Sequence, residues 1–170
     1  MSVASSILVG NMGRTIWMKV EGRGTFQNSP NLKEFALQMI QRGHRDFVVD
    51  LGGCELMDST FMGTLAGVAL RLKEIGQGTL RTVRVNVRNS DLLANLGLDH
   101  LFAVESEMNV TTPQNLNIAS DVAVGTDAQK ESVLAAHEAL VEADSRNVVK
   151  FKDVIEYLRQ EIAETDRTAD

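Results

Sequence analysis

The chain has 170 residues, of which 44% are hydrophobic and 24% are charged, and its formal net charge is −6. This length fits one ordinary domain with an appended segment, and the composition is typical of a soluble globular protein. The acidic balance argues against a general binder of nucleic acid or of anionic membranes, because both attract basic surfaces. We find no signal peptide and no segment as long as a membrane span, so we expect a cytoplasmic protein.

The first 105 residues alternate strand and helix patterns. Apolar residues at every second position, or β-branched runs, predict strands, and apolar residues three and four apart predict helices. This order predicts an α/β fold, a mixed β-sheet with crossover helices packed on one face. The predicted elements are strands at 6–9 and 14–21, a helix from Ser29 to Gly43, a strand at 47–51, a helix from Asp58 to Gly76, a strand at 80–87, a helix from Ser90 to Gly97 and a strand at 101–104.

The last third of the chain differs in composition. Residues 106–125 are rich in Asn, Thr, Ser and Gln, which favours a linker. Two apolar stripes at helical spacing follow at 126–166 and predict a helical hairpin. We expect the hairpin to bury these stripes on the chain's own domain or on a second copy, as a homodimer. The predicted division is therefore a domain at 1–105, a linker at 106–125 and a C-terminal hairpin at 126–166.

The stretch Asp58-Ser59-Thr60 lies between a buried strand and the longest predicted helix of the first domain. A hydroxyl group at a helix N-terminus has two common uses. It caps the helix by accepting a backbone N–H bond, or it carries a phosphate that the helix dipole and free N–H groups stabilise. The position alone favours the cap.

The residues around this stretch resemble the STAS domain family, the anti-sigma factor antagonists. In that family a central strand leads into Asp-Ser-[Ser/Thr]-Gly-hydrophobic-Gly, which opens a helix. Here the chain reads Met57-Asp58-Ser59-Thr60-Phe61-Met62-Gly63, followed by the turn at 73–78 and by Gly97-Leu98 before Leu101-Phe102. The resemblance covers about residues 5–105 and implies a STAS-like fold without the hairpin.

The resemblance also implies a function, a phosphorylation-switched anti-sigma factor antagonist of bacterial transcription. Unmodified Ser59 would let the protein sequester an anti-sigma factor serine kinase, and phosphorylation would release the kinase until a phosphatase resets it. Ser59 is the implied phosphorylation site, with Thr60 as the second candidate. The implied partner-binding residues are Asp58, Ser59, Thr60, Phe61, Met62, Gly63, Arg23 and Thr25.

Two positions depart from the family pattern. Phe61 stands where the family has its first glycine, and its ring either lies in the core or anchors a different partner. The loop at 22–25 lacks an aspartate found in the family, and Arg23 reverses the sign of charge there. These departures motivate an alternative, a constitutive STAS scaffold or assembly subunit in which Ser59 is only a helix cap.

Other candidate sites are weak. The three histidines, His44, His100 and His137, have no metal-ligand spacing, so we expect them at the surface or at helix ends. Cys54 is the single cysteine, and we expect it to be a small, semi-buried hydrophobic residue. Arg81, Arg84 and Arg88 favour solvated positions on a half-exposed strand. We find no acid–base pair, nucleophile triad or metal cluster, and therefore expect no enzyme, no catalytic residue, no metal and no cofactor.

Overall fold

A computed structural model describes residues 4–122 and 125–168, and its centre is a six-stranded mixed sheet. The strand order is β5-β4-β3-β2-β1-β6, in which β1 is antiparallel to both neighbours and the remaining pairs are parallel. This confirms the predicted mixed sheet. The strands are β1 (Ser6–Met12), β2 (Thr15–Gly24), β3 (Asp46–Met57), β4 (Thr79–Val83), β5 (Ala103–Val104) and β6 (Asn117–Ile118).

Five α-helices accompany the described part of the sheet, and a short 3₁₀ turn at Leu98–His100 precedes β5. The order of elements through β5 is the predicted one, and the C-terminal helical hairpin is also confirmed. Within the described residues no helix is both long and apolar enough to cross a membrane. The helices are α1 (Ser29–Gln41), α2 (Ser59–Ile75), α3 (Val87–Asn95), α4 (Thr126–Ala143) and α5 (Asn147–Thr168).

The main core lies between the sheet and its crossover helices. Alternate residues of the strands, such as Met18 and Val49, pack against Leu32 of α1 and Leu65 of α2, and all four are essentially inaccessible to solvent. The opposite face of the sheet carries a smaller cluster centred on Trp17. β3 therefore lies in the middle of the fold, and its C-terminal end delivers the chain directly into α2.

The predicted strand at 80–87 is wrong in its second half. Strand β4 ends at Val83 because Arg84 adopts a left-handed backbone with φ of 52°. Helix α3 already begins at Val87, which is strongly exposed, and the side chain of Asn86 caps it by accepting from the backbone N–H of Asn89 at 2.7 Å. The predicted cap, Ser90, lies inside the helix.

Arg84 is also not the solvated residue that alternation predicts. Its Nε and Nη2 donate to the two carboxylate oxygens of Asp50 at 2.9 and 2.8 Å. Asp50 is 0% exposed and also accepts from the backbone N–H of Gly52 and the hydroxyl of Thr112. The turn after β4 therefore places a guanidinium over a buried carboxylate on the central strand.

The segment predicted as a linker contacts the sheet. Within it, β6 pairs with β1 through Leu8–Ile118 and Val9–Asn117, and Leu116 packs on the Trp17 cluster. The hairpin of α4 and α5 packs on the chain's own helices, with Leu140 in the main core. The division at 1–105, 106–125 and 126–166, and the homodimer through the hairpin, stay predictions.

Candidate functional site

Asp58 is the residue that organises the start of α2. Its Oδ1 accepts from the backbone N–H of Phe61 at 2.8 Å, which caps the helix, and its Oδ2 accepts from the backbone N–H of Phe26 at 2.9 Å. One carboxylate therefore ties the β2–α1 loop to the helix. Because Asp58 supplies the cap, the hydroxyl of Ser59 is left without a capping role.

Ser59 forms a hydrogen bond with a residue far along the chain. Its Oγ lies 3.0 Å from Nε2 of His137 on α4, and Nδ1 of the same ring lies 2.7 Å from the carbonyl oxygen of Val133. A carbonyl can only accept, so Nδ1 carries a proton and donates. When Nδ1 carries the ring's single proton, Nε2 accepts from the Ser59 hydroxyl.

His137 is not the surface histidine that its sequence context predicts. It is only 4% exposed, and its ring meets the edge of Phe151 on α5 with centroids 5.0 Å apart. Its position three and four residues from other inward-facing residues of α4, Val133 and Leu140, was the available signal, since these residues share one helix face. Burial and two polar partners therefore fix this ring above the first turn of α2.

The next turn of α2 lies directly beneath the backbone of α4. A Cβ added at Gly63 would overlap with the carbonyl oxygen of Ala136 and would lie 2.6 Å from its carbonyl carbon. Only glycine allows the two helices to approach this closely. Thr60 and Met62 are also buried, and the Thr60 carbonyl accepts from the hydroxyl of Thr64 at 2.9 Å.

The ring of Phe61 points into the core and is 0% exposed. It lies against the backbone of Gly24 at the end of β2, where an added Cβ would come within 2.7 Å of the ring. Of the two predicted orientations of this residue, the core orientation is the correct one. Phe61 occupies the position where the family has a glycine, and Gly24 on the neighbouring strand β2 leaves the space that the ring needs.

Arg23 and Thr25 lie on the rim of the helix start. Arg23 is exposed, and its Nε lies 4.0 Å from a carboxylate oxygen of Glu55, which is also exposed, so this pair is weak. The backbone N–H of Thr25 donates to Asn28 at 2.9 Å, which shapes the loop. This loop presents Phe26, 42% exposed and absent from the predicted set.

The eight predicted partner-binding residues therefore divide into two groups. Arg23, Thr25, Asp58 and Ser59 are exposed or half-buried around the N-terminus of α2. Thr60, Phe61, Met62 and Gly63 are buried and cannot be touched by a partner in this conformation. Their role in binding stays a prediction, and so does phosphorylation of Ser59 or Thr60.

Little in this region suggests catalysis. Burial raises the pKa of the Cys54 thiol, which disfavours the nucleophilic thiolate. Among residues 4–122 and 125–168, no group of three or more histidine, cysteine, aspartate or glutamate side chains is placed to hold a metal ion. The Ser59 hydroxyl lies at the N-terminus of α2, the positive end of the dipole of this 17-residue helix.

Comparison with solved structures finds the same fold in two small proteins. An anti-sigma factor antagonist from Mycobacterium paratuberculosis aligns with a TM-score of 0.57 and 18% identity over 64% of this chain and 93% of its own. A protein from Thermotoga maritima, described as a candidate anti-sigma factor antagonist, aligns with a TM-score of 0.54 and 15% identity over 59% of this chain and 86% of its own. No curated protein matches the sequence. The family model described as "Mlab, STAS domain" matches residues 7–105, more than half of the chain, and the chain therefore belongs to the STAS domain family.

Proposed function

We propose that this protein is an anti-sigma factor antagonist that binds an anti-sigma factor serine kinase and is switched by phosphorylation of Ser59. The observation that carries the proposal is the placement of the Ser59 hydroxyl. It lies in the first turn of α2, directly after the central strand, and Asp58 rather than Ser59 caps the helix. The STAS family and the two antagonist-like folds support the general role.

The chemistry of the switch requires no catalytic group on this chain. The kinase would transfer the γ-phosphoryl group of ATP to Oγ of Ser59, the hydroxyl proton would pass to a base of the kinase, and ADP would leave. The product carries about −1.5 to −2 charges at neutral pH. Free N–H groups and the dipole at the N-terminus of α2 stabilise such an anion, so α2 can remain folded while the surface changes sign.

The exposed rim gives the partner its first contacts. Phe26 offers an aromatic side chain, Arg23 a cation, and Asp58 holds their loop against α2. Exposed aromatic and arginine side chains are the residue types that dominate binding energy at protein interfaces. A phosphate on Ser59 would lie beside this rim. It would weaken binding of an acidic partner by charge repulsion, and binding of an apolar partner through the cost of removing water from the phosphate.

The proposal is tested by measuring how the full chain binds an anti-sigma factor kinase. Ser59→Ala should bind as well as the parent, whereas Ser59→Glu should bind at least tenfold more weakly because it places a negative charge at the site. Ser106→Glu adds the same charge at an exposed position after β5 and serves as the control. Equal binding by Ser59→Glu and the control contradicts the switch.

One observation favours a second function, a constitutive STAS scaffold or assembly subunit. The Ser59 hydroxyl already forms a hydrogen bond within the protein, with the buried ring of His137. In that case Ser59 holds the hairpin in place. Ser59 is not the helix cap in this scaffold, because the side chain of Asp58 caps α2. The scaffold predicts no phosphate on Ser59 and unchanged binding by Ser59→Glu.

A further inference from the structure

Helix α4 occupies the face of α2 that begins at Ser59. The contact starts at the Ser59–His137 hydrogen bond, continues where the backbone of Ala136 covers Gly63, and extends to Gly67 beside Ala139. It therefore follows α2 over more than two turns. The hairpin that the family resemblance leaves unexplained lies on the surface where a switch at Ser59 would have to act.

The α2 face is shaped to accept a helix. At Gly63 an added Cβ would collide with the backbone of α4, which cannot yield, whereas at Gly67 it would lie 3.8 Å from the Cβ of Ala139, an ordinary contact. The two glycines form a shallow channel four residues long, and α4 is seated in it. This surface recognises a helix backbone at close range, and α4 is its occupant in the free chain.

The fully buried part of α4 is small. The buried residues of α4 are Ala136, His137 and Leu140, so only one of the three is a large apolar side chain. Polar anchors add to these, chiefly Asn147, whose Nδ2 donates to the carbonyl oxygens of Leu96 and Leu140 at 2.9 and 2.7 Å. Helix α2 buries ten residues by comparison, and because hydrophobic stabilisation scales with apolar area, removing α4 from the fold costs less than removing α2 would.

We propose that the hairpin is an intramolecular competitor, in which α4 covers the docking face of α2 and holds the half-buried Ser59 hydroxyl in a hydrogen bond until a partner helix replaces it. The inference rests on the proposed function, in which Ser59 is the residue that is phosphorylated. It adds that the free protein is closed and that binding includes a step in which α4 lifts. The partner fits this face by presenting a helix with small residues at the two glycines and an acceptor above Ser59, as α4 does.

The geometry also couples phosphorylation to opening. Oγ of Ser59 and Nε2 of His137 are 3.0 Å apart, a hydrogen-bond distance that leaves no room for a phosphorus atom and its oxygens. The His137 ring also packs against Phe151 of α5, with ring centroids 5.0 Å apart. Phosphorylation of Ser59 therefore breaks this hydrogen bond and removes one of the contacts that hold α4 on α2, which favours the open hairpin.

A thiol probe tests the closed state without any partner. Ser59→Cys is made in the full chain, and alkylation by iodoacetamide is followed by peptide mass, with the buried Cys54 as an internal standard of protection. We expect alkylation at least tenfold slower than in the urea-unfolded chain. Adding Ala136→Glu, which forces a charge against α2, should raise the rate at least tenfold, whereas Ala128→Glu, the same change at an exposed position of α4, should not.

A reversible cross-link separates this inference from the proposed function. The Cβ positions at Gly67 and Ala139 are 3.8 Å apart, which matches the usual disulfide spacing of about 3.8 Å, so Gly67→Cys with Ala139→Cys should lock α4 on α2. The oxidised chain should lose kinase binding and Ser59 phosphorylation, and reduction should restore both.

Binding by the locked chain, or alkylation as fast as in the unfolded chain, overturns the inference even if Ser59 is phosphorylated. Failure of every open form to bind or be phosphorylated overturns the proposed function, while the alkylation result still decides whether the hairpin closes.

Discussion

The aromatic ring of Phe61 fills the space beside Gly24 in which any other residue would carry its side chain. An added Cβ at Gly24 would lie 2.7–2.9 Å from three ring atoms of Phe61. The two residues come from different elements, α2 and β2, and they pack as one unit in the core. Their pairing allows a bulky residue to follow Ser59 and Thr60 without changing how α2 starts.

The first prediction concerns this pair. Gly24→Ala should lower the free energy of unfolding by about 1–3 kcal/mol, because the overpacked ring has to move. Adding Phe61→Leu should relieve part of the clash, so the double variant should be more stable than the sum of the two single effects. Denaturant unfolding of the four chains measures the coupling. Purely additive losses contradict the proposed contact between Gly24 and Phe61.

The second prediction uses the two glycines of α2. Alanine is the better helix former by about 1 kcal/mol, so Gly67→Ala, which meets only an ordinary contact, should be neutral or stabilising. Gly63→Ala meets the backbone of Ala136 and should displace α4. Hydrogen exchange in α4 should therefore accelerate in Gly63→Ala and not in Gly67→Ala. The same exchange in both variants would show that Gly63 is not needed for the hairpin to close.

The third prediction concerns the buried carboxylate of Asp50. Arg84→Met keeps much of the side-chain length but leaves that carboxylate buried without its cation, so the free energy of unfolding should fall by about 3–5 kcal/mol. Arg81→Met removes a half-exposed arginine that lies 3.8 Å from Glu105 and should cost less than about 1 kcal/mol. Urea unfolding compares the two. Similar losses would mean that the Asp50–Arg84 pair contributes no more than a surface pair.

The fourth prediction is a pH dependence at the end of α4. Hydrogen bonds from Arg146 lower the pKa of the Asp144 carboxyl from 3.8 to about 2. Because the folded-state pKa is the lower one, the contribution to stability is present above pH about 4 and is lost as the pH falls through about 2. An NMR titration of the Asp144 carboxyl should show a midpoint near 2, and Arg146→Met should return it towards 3.8. An unchanged midpoint in Arg146→Met contradicts the assigned cause.

The sequence predicts the framework of the fold well because its signals are local. Alternation in β2 and the apolar spacing of α2 each follow from contacts within one element and one buried face. The end of β4 was missed because Arg84 is drawn to Asp50, 34 residues earlier, and no local pattern carries that pairing. The alternating pattern continues as far as Val87, but the left-handed backbone of Arg84 ends the strand and α3 begins at Val87.

The candidate site was predicted only in part, for the same reason. Asp58 and Ser59 are recognisable from their place between a strand and a helix, and from the STAS resemblance. His137 lies 78 residues from Ser59, and the hairpin that carries it lies outside the resemblance, so its burial above Ser59 depends on tertiary packing. Whether α4 packs on α2 or on a second copy cannot be read from an amphipathic stripe alone.

The most direct test of the account is to map phosphate on the full chain after incubation with an anti-sigma factor kinase and ATP. Ala136→Glu, whose hairpin should be open, is treated in parallel so that a closed hairpin cannot mask the site. Mass spectrometry should find phosphate on Ser59, more in Ala136→Glu than in the parent, and none at that position in Ser59→Ala. Absence of phosphate from both Ser59 and Thr60 in the parent and in Ala136→Glu would contradict the switch.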